Sequence, residues 1–400
     1  MKVYDFCRKL LQPSLINRLK EYAKWQRKIQ DGDLTILGNL PDFAPISINL
    51  DLTTACNFRC THCIDLDILN QQIMFEHENL LNSLDRMSKK GLKSVILIGG
   101  GEPTLYPKLG EIIIFLKEKG IKIGIVTNGS NMEKISEIAH LFDNNDWIRL
   151  SLDSGKEETF QKMHNPRIET SLKKICKDVY EIKKKHKNLT IGFSYVVTWS
   201  NIHDGKVISN IDEIVDAARL AKNNGFNYIS IKPFLERSPE NSAELIGIIH
   251  SSEEYQETIR KIRESIQEAK KLETDSFEVR ESNNLKALEN GNFRNIKQPK
   301  NCHMIFFRGV LSPLGAFICP GFRNIEKAKI GDKNAYADEE NYKKTKLKTA
   351  EKIKDFNAYN ECKNVTCLYN DINWFIEDLI QHPEKIEQLQ VAEEIGEYFL

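Results

Sequence analysis

Three of the chain's nine cysteines fall close together as Cys56-Asn-Phe-Arg-Cys60-Thr-His-Cys63, and four more, Cys302, Cys319, Cys362 and Cys367, lie in the last quarter of the 400 residues. Thiolates are soft ligands, and sets of them hold iron–sulfur clusters or zinc. The spacing therefore predicts two separate metal sites. A structural zinc needs a closed shell of four ligands, so at the first set it would have to recruit His62, which sits between two of the cysteines. Cys7 and Cys176 have helical surroundings and no partner in spacing, and they read as ordinary thiols.

Compartment bears on that chemistry. The N-terminal residues MKVYDFCRKLLQPSLINRLK interrupt their apolar positions with charges and lack the continuous apolar core of a signal peptide. The longest uncharged apolar stretches, such as Val95 to Ile98 and Ile112 to Leu116, fall far short of the roughly 20 residues that span a bilayer. A cytoplasmic protein is expected, and in that reducing compartment thiols are not spent on structural disulfides. The 57 basic and 57 acidic side chains cancel. Such a balance argues against nucleic-acid binders and polybasic membrane-surface proteins, which depend on a cationic excess. The length suits one large or two moderate units with a real core.

The elements that must position the cysteines follow from periodicity. Ile46 to Thr53 alternates in the manner of a strand and runs directly into the first cysteine set. Residues 76–90 then read as a helix, and Lys93 to Ile98 as a buried strand ending in Gly99-Gly100-Gly101-Glu102-Pro103-Thr104. The pattern repeats with a helix over Pro107 to Lys119, a strand over Lys122 to Val126 ending in Thr127-Asn128-Gly129, a helix over 131–142, and a strand over Trp147 to Leu152. It continues with a helix over 170–186, a strand over Leu189 to Thr198, a helix over 206–224, and a strand over Tyr228 to Ile231. Six strands alternating with helices predict an α/β fold, a partial (β/α)6 barrel with parallel strands and right-handed crossovers. In such folds functional groups gather at the carboxyl ends of the strands, where the cysteine set, the glycine run, Asn128 and Ser151-Leu152-Asp153 all fall.

The expected organisation is a helical extension over 1–45, a core domain over 46–235, a helical connection over 236–300, a small α+β domain over 301–370, and C-terminal helices over 371–400, broken at His382-Pro383. Within these, residues 14–29 and 252–272 read as helices, 283–300 as a connection, Cys302 to Gly331 as strands with turns, and the Lys-rich 333–355 as a solvated face.

Cys56-x3-Cys60-x2-Cys63 after a first strand, with Gly-Gly-Gly-Glu-Pro after a second, resembles the radical S-adenosylmethionine (radical SAM) superfamily over about residues 46–235. The resemblance implies that Cys56, Cys60 and Cys63 hold three irons of a [4Fe-4S] cluster and leave the fourth open, as a catalytic metal requires. In the family that iron takes the amino and carboxylate groups of S-adenosylmethionine, whose reductive cleavage yields a 5′-deoxyadenosyl radical. By the same resemblance His62 lies near the adenine, backbone of Gly100, Gly101 and Glu102 meets the methionine amino group, and Asn128, Ser151 and Asp153 hold ribose and carboxylate. Cys302, Cys319, Cys362 and Cys367 resemble the SPASM extension in its shortened Twitch form, which implies one auxiliary [4Fe-4S] cluster. The spacing of the last pair is longer than in that form and leaves Cys362 or Cys367 open as a ligand; zinc is the rival occupant.

The expected function is hydrogen abstraction from a small molecule such as a sugar or aminocyclitol, followed by oxidation or remodelling with help from the auxiliary cluster. A flavodoxin or ferredoxin is the expected electron donor. The alternatives are a maturase acting on a ribosomal peptide and a non-catalytic zinc or iron–sulfur protein. Lys232, Tyr195 and His164, at or near strand ends, are candidate proton or hydrogen donors at the substrate.

Overall fold

The alternating residues of 46–53 form strand β1 (Ser47–Leu50), and the later strands follow the expected order: β2 (Ser94–Leu97), β3 (Lys122–Thr127), β4 (Trp147–Ser151), β5 (Thr190–Val197) and β6 (Tyr228–Pro233). This computed structural model describes residues 5–200, 202–238, 240, 242–247, 252–291, 296–363 and 365–400. Each of these six strands pairs in parallel with the next, and helices make the crossovers. The helices are started by their own side chains: Glu76 accepts from the Glu78 and Asn79 amides, Asn131 from Lys134, and Ser171 from Lys174. Helix Leu109–Glu118 buries Leu109, Ile112, Ile113 and Leu116 against the sheet, each such side chain contributing about 1.5–3 kcal/mol.

Beyond β6 come a hairpin of β7 (Leu235–Arg237) and β8 (Glu244–Ile246), helix Ser252–Lys270, and β9 (Glu278–Glu281). β9 adds a parallel strand beside β6 within the stretch read as a helical connection. That connection also includes residues 292–295, which lie outside the described ones. The cysteine-bearing C-terminal region supplies β10 (Arg308–Ser312), β11 (Gly315–Phe317) and β12 (Lys329–Gly331). β10 pairs in parallel with β1, from Ser47↔Arg308 to Leu50↔Leu311. The result is one ten-stranded sheet in the order β12-β11-β10-β1-β2-β3-β4-β5-β6-β9, an open partial barrel. The two cysteine sets thus share a sheet, with β1 and β10 side by side.

Three differences from the periodicity have local causes. Helix Glu157–His164 lies between β4 and the helix Leu172–Lys185; its short sequence buries only Thr159, Phe160, Met163 and His164, too few positions to announce a helix. The helix expected over 206–224 is Ile214–Asn223, preceded by a 3-10 turn at Ile211–Glu213. Helices do not fill the C-terminus: after Asn370–Gln381 and one turn at Glu384–Glu387 the chain is irregular. There the Ile395 and Gly396 amides donate to Gln12 Oε1, and Phe399 packs on Trp147 with ring centroids 5.5 Å apart.

The N-terminal helix Ile16–Gln30 covers the C-terminal region: Tyr22 stacks on Phe306, and its hydroxyl bonds His303 Nδ1 at 2.9 Å. No helix among the described residues is long and apolar enough to cross a membrane.

Candidate functional site

Cys56, Cys60 and Cys63 sit on the loop that leaves β1, where the Cys63 amide donates to the Cys60 carbonyl at 3.2 Å. The three sulfurs are close enough to feel one another. Burial, then the neighbouring Cys63 and Cys56, push the Cys60 thiol well above its ordinary value; burial and Asp65 push Cys63 up to about 12. Three half-buried soft donors that destabilise each other's charge, with no carboxylate bonded among them in the described residues, suit a cationic cluster that would take all three as thiolates. The donor set fits the [4Fe-4S] group.

The glycine run that follows β2 has three different neighbours. A Cβ on Gly99 (φ +75°) would lie 1.9 Å from the Arg323 guanidinium, one on Gly100 (φ +63°) 3.0 Å from Asp51, and one on Gly101 2.4 Å from the Ala55 carbonyl and 2.6 Å from that of Thr53. Gly101 therefore admits the cysteine loop itself. Gly101→Ala meets backbone that cannot rotate aside, and we expect a loss of about 1–3 kcal/mol together with poorer iron uptake, read by thermal unfolding and iron analysis.

Glu102 donates its amide to the Ala55 carbonyl at 2.8 Å, while its buried carboxylate accepts from the Thr104 amide (3.0 Å), Thr104 Oγ1 (2.7 Å), Thr127 Oγ1 (2.6 Å) and the Asn128 amide (2.8 Å). The side chain thereby ties the end of β2 to that of β3. Asn128 Nδ2 donates to Asn57 Oδ1 at 2.9 Å, and Asn128 Oδ1 accepts from the Ser130 amide at 2.8 Å. Asn128 is thus engaged with the cysteine loop.

Asp153 is likewise occupied. Its Oδ1 accepts from the Val196 amide at 2.7 Å and its Oδ2 lies 3.0 Å from His62 Nε2. Although burial opposes it, His62 and His164 hold the carboxyl below its usual range. Asp153 thus orients His62.

His164 ends the helix Glu157–His164, and its burial draws the imidazole down to about 4. Its Nε2 lies 2.9 Å from the Leu152 carbonyl, which can only accept, so the proton belongs on Nε2 and Nδ1 accepts from the Cys60 thiol at 3.2 Å. His164 thus lies buried against Cys60 and the end of β4. Tyr195 does not face the cavity as expected: it alternates to the outer face of β5, fully buried, and its hydroxyl donates to the Asn210 carbonyl at 2.5 Å. Ser151 pairs with Ser194 across β4 and β5, on the inner face. Lys232 reaches the interior of the barrel, donating to Ser194 Oγ at 3.3 Å.

That interior is a cavity of about 580 Å³, with His62 and Lys232 among its lining and Trp147, Arg149 and Tyr228 deeper along the strands. A small pocket of about 40 Å³ is lined by Cys302, Cys319, Cys362 and Cys367 together, so the long spacing of the last pair does not separate them. The Gly321 and Tyr369 amides each donate to a sulfur at 3.4 Å, to Cys319 and Cys367. Burial, then Cys302, Cys367 and Cys319, push the Cys362 thiol far up. Four converging thiols in a small apolar pocket fit a closed cluster or zinc equally in chemistry.

Between the two sets lies a buried charge network that composition and spacing did not single out. Arg323 Nη1 lies 2.9 Å from Asp65 Oδ2, and its Nε 3.4 Å from Asp51 Oδ2; Arg237 Nη2 reaches Asp65 Oδ1 at 3.4 Å and Glu244 at 3.8 Å. Asp65 follows Cys63 by two residues and Arg323 follows Cys319 by four, so this network couples the loops that carry the cysteines. The signal available in sequence was the polar face Ser47, Asn49, Asp51 and Thr53 of β1, whose buried carboxylate demanded a cation.

An open parallel α/β barrel with three thiols at the end of its first strand and a glycine-rich turn at the end of its second defines a cluster-binding enzyme. Residues 50–235 match the family described as the radical SAM superfamily, so the chain carries a domain of that family. An S-adenosylmethionine-dependent nucleotide dehydratase of Thermoplasmatales archaeon (strain ISO4-H5) is 34% identical over 111 residues, 28% of this chain and 39% of the relative. One from Selenomonas ruminantium is 25% identical over 210 residues, 50% of this chain and 71% of the relative. Among solved structures, Streptococcus suis SuiB bound to precursor peptide SuiA superposes with a TM-score of 0.55 at 15% identity, covering 93% of this chain and 78% of that one. That likeness is one of fold.

Proposed function

We propose that this radical SAM enzyme abstracts hydrogen from a small molecule held inside the barrel and oxidises or remodels it, with one auxiliary [4Fe-4S] cluster on Cys302, Cys319, Cys362 and Cys367. The observation that carries the reading is the cavity of about 580 Å³ that runs from His62 into the barrel. It is in the range of small-molecule sites. When bound on Cys56, Cys60 and Cys63, the cluster and S-adenosylmethionine supply one electron and a 5′-deoxyadenosyl radical.

The chain's own part is to hold and shield. Glu102 and Gly101 fix the cysteine loop against β2 and β3, and Asp153 orients His62 at the cavity. The strand-borne side chains grip the substrate. Sugars and aminocyclitols belong to the substrate class this reading allows, and the dehydratases similar to the core add nucleotides to it. A flavodoxin or ferredoxin would deliver the electron.

Anaerobic reconstitution with iron and sulfide, followed by dithionite and S-adenosylmethionine, tests the reading. We expect 5′-deoxyadenosine and about eight irons per chain. No 5′-deoxyadenosine from protein with a filled first set would overturn the enzyme reading in favour of a structural metal protein. About four irons with stoichiometric zinc would overturn the auxiliary cluster.

A further inference from the structure

We propose that Arg149 and Lys232 seat an anionic group of the substrate, a phosphate or carboxylate, inside the barrel cavity. The inference rests on the reading of that cavity as the substrate chamber, and it narrows the class: the substrate is an anionic small molecule, not a cationic aminocyclitol.

The charges along the cavity wall are unequal in their partners. Three acidic side chains line it, and each is claimed; the C-terminal residue Leu400 lines it too. Glu397 pairs with Lys9 at 2.7 Å, Glu281 pairs with Lys270, and Glu244 belongs to the network of Arg237 and Arg323. Of the cations there, Arg280 pairs with Glu278 at 2.7 Å and Arg308 donates to Asn49 Oδ1 at 2.7 Å.

Arg308, Arg149 and Lys232 are left without a carboxylate partner among the described residues, and the pair that flanks β5 is Arg149 on β4 and Lys232 on β6. Among the described residues neither has an ion-pair partner, Arg149 Nε is buried without an acceptor, and Lys232 Nζ donates to a neutral hydroxyl. Two half-buried cations with no carboxylate bonded to either are costly. Burial and then Arg149 pull the Lys232 ammonium down to about 7, against the opposing pull of Asp153. An anion entering the cavity removes it, whereas an ammonium-bearing ligand adds a third like charge.

The strands place the pair on either side of a row of hydroxyls. Ser151, Ser194 and Ser230 are register partners across β4, β5 and β6, one inward step beyond Arg149 and one short of Lys232 on the same face. Hydroxyl donors flanked by a guanidinium and an ammonium are the groups that bind an oxyanion. Gly192, the register partner of Arg149, lets the Tyr228 ring lie across β5: a Cβ there would be 2.1 Å from that ring.

The test uses the anaerobically reconstituted protein, with pyrophosphate as the probe and S-adenosylmethionine saturating, followed by calorimetry. We expect pyrophosphate to bind, Arg149→Gln and Lys232→Met each to weaken it about tenfold or more, and Lys232→Arg to restore most of the loss. S-adenosylmethionine affinity, titrated alone, stays unchanged in all three. Absence of pyrophosphate binding to the unaltered protein overturns the proposal, as do equal affinities across the variants. Variants that lose S-adenosylmethionine and keep pyrophosphate would assign the pair to the carboxylate of S-adenosylmethionine and overturn it too. Should a variant not fold, the unaltered protein still decides: tighter binding of 2-deoxystreptamine, an aminocyclitol, than of pyrophosphate overturns the inference. Binding is read without turnover, so this inference and the formation of 5′-deoxyadenosine can fail independently.

Discussion

Arg323→Leu should destabilise the protein by about 3–5 kcal/mol, the usual consequence of removing one partner from a buried ion pair. Arg323, Asp51 and Asp65 are all nearly excluded from solvent, at 7%, 1% and 8% side-chain exposure, so screening does little to reduce the effect. Burial alone would lower the guanidinium; Asp51, Asp65 and Glu244 outweigh it and hold the group charged. Without it, Asp65 keeps the long contact to Arg237, and Asp51 keeps nothing.

The pH dependence has a definite sign. Burial pushes Asp51 and Glu244 up to about 7, so between the ordinary carboxylate range and pH 7 the folded state holds protons that the unfolded state has released. For these two groups stability falls as pH rises through that window. Asp65 is held below its usual value by Arg323 and then Arg237, against burial, and its contribution is present above the ordinary carboxylate range and lost as pH falls through its lowered value. Removing Arg323 enlarges the first effect and reduces the second, so the deficit should be greatest above pH 7 and shrink toward pH 5. Thermal unfolding at pH 8 and pH 5 checks it. A variant as stable as the unaltered protein at pH 8 would mean that the network carries no charge there.

The network also shows why the sequence reveals some parts of this molecule and hides others. Strands β1 to β6 were legible because each is a short apolar run or alternation closed by glycine, proline or asparagine, and the crossover rule then orders them. Cys56, Cys60 and Cys63 were legible because their spacing is local. What joins them to the rest is not local. Arg323 meets Asp65 across 258 positions and Arg308 meets Asn49 across 259. No window of sequence contains either pair. The pairing of β10 with β1 is hidden for the same reason, since a continuous apolar strand such as Val310 and Leu311 carries no mark of its neighbour.

Face assignment explains the misplaced side chains. Tyr195 and Lys232 both lie near strand ends, but the two-residue period of a strand sends Tyr195 outward to Asn210 and Lys232 inward. Arg149 was equally available by that rule, between Trp147 and Ser151 on the inner face of β4, where burial alternates with Ile148 and Leu150. A lone arginine inside a barrel strand was the signal that spacing of cysteines overshadowed.

Glu102→Ala should cost about as much as the loss of Arg323, for a different reason. The change removes one acceptor group and leaves four donors, two backbone amides and two hydroxyls, in a buried site. A hydroxyl can rotate to another acceptor, but the Thr104 and Asn128 amides cannot, and each orphaned amide costs about 1–3 kcal/mol. With the cavity left by the side chain, a total of about 3–5 kcal/mol is expected. Glu102→Gln separates acceptor loss from cavity. It keeps the volume but turns an NH2 group toward donors, so it should recover only part of the stability, whereas a purely volumetric role predicts nearly full recovery.

Burial already pushes the Glu102 carboxyl above its ordinary value against the pull of the Asn128, Thr127 and Thr104 donors, so the ionised form depends on all of them being in place. Because the Glu102 amide also holds the Ala55 carbonyl, one residue before Cys56, the damage should travel. Iron bound by the first cysteine set should fall in both variants, while a metal bound by Cys302, Cys319, Cys362 and Cys367 stays. Iron and zinc analysis of each variant, alongside its melting temperature, tests whether the end of β2 is a support for the cysteine loop or only a neighbour of it.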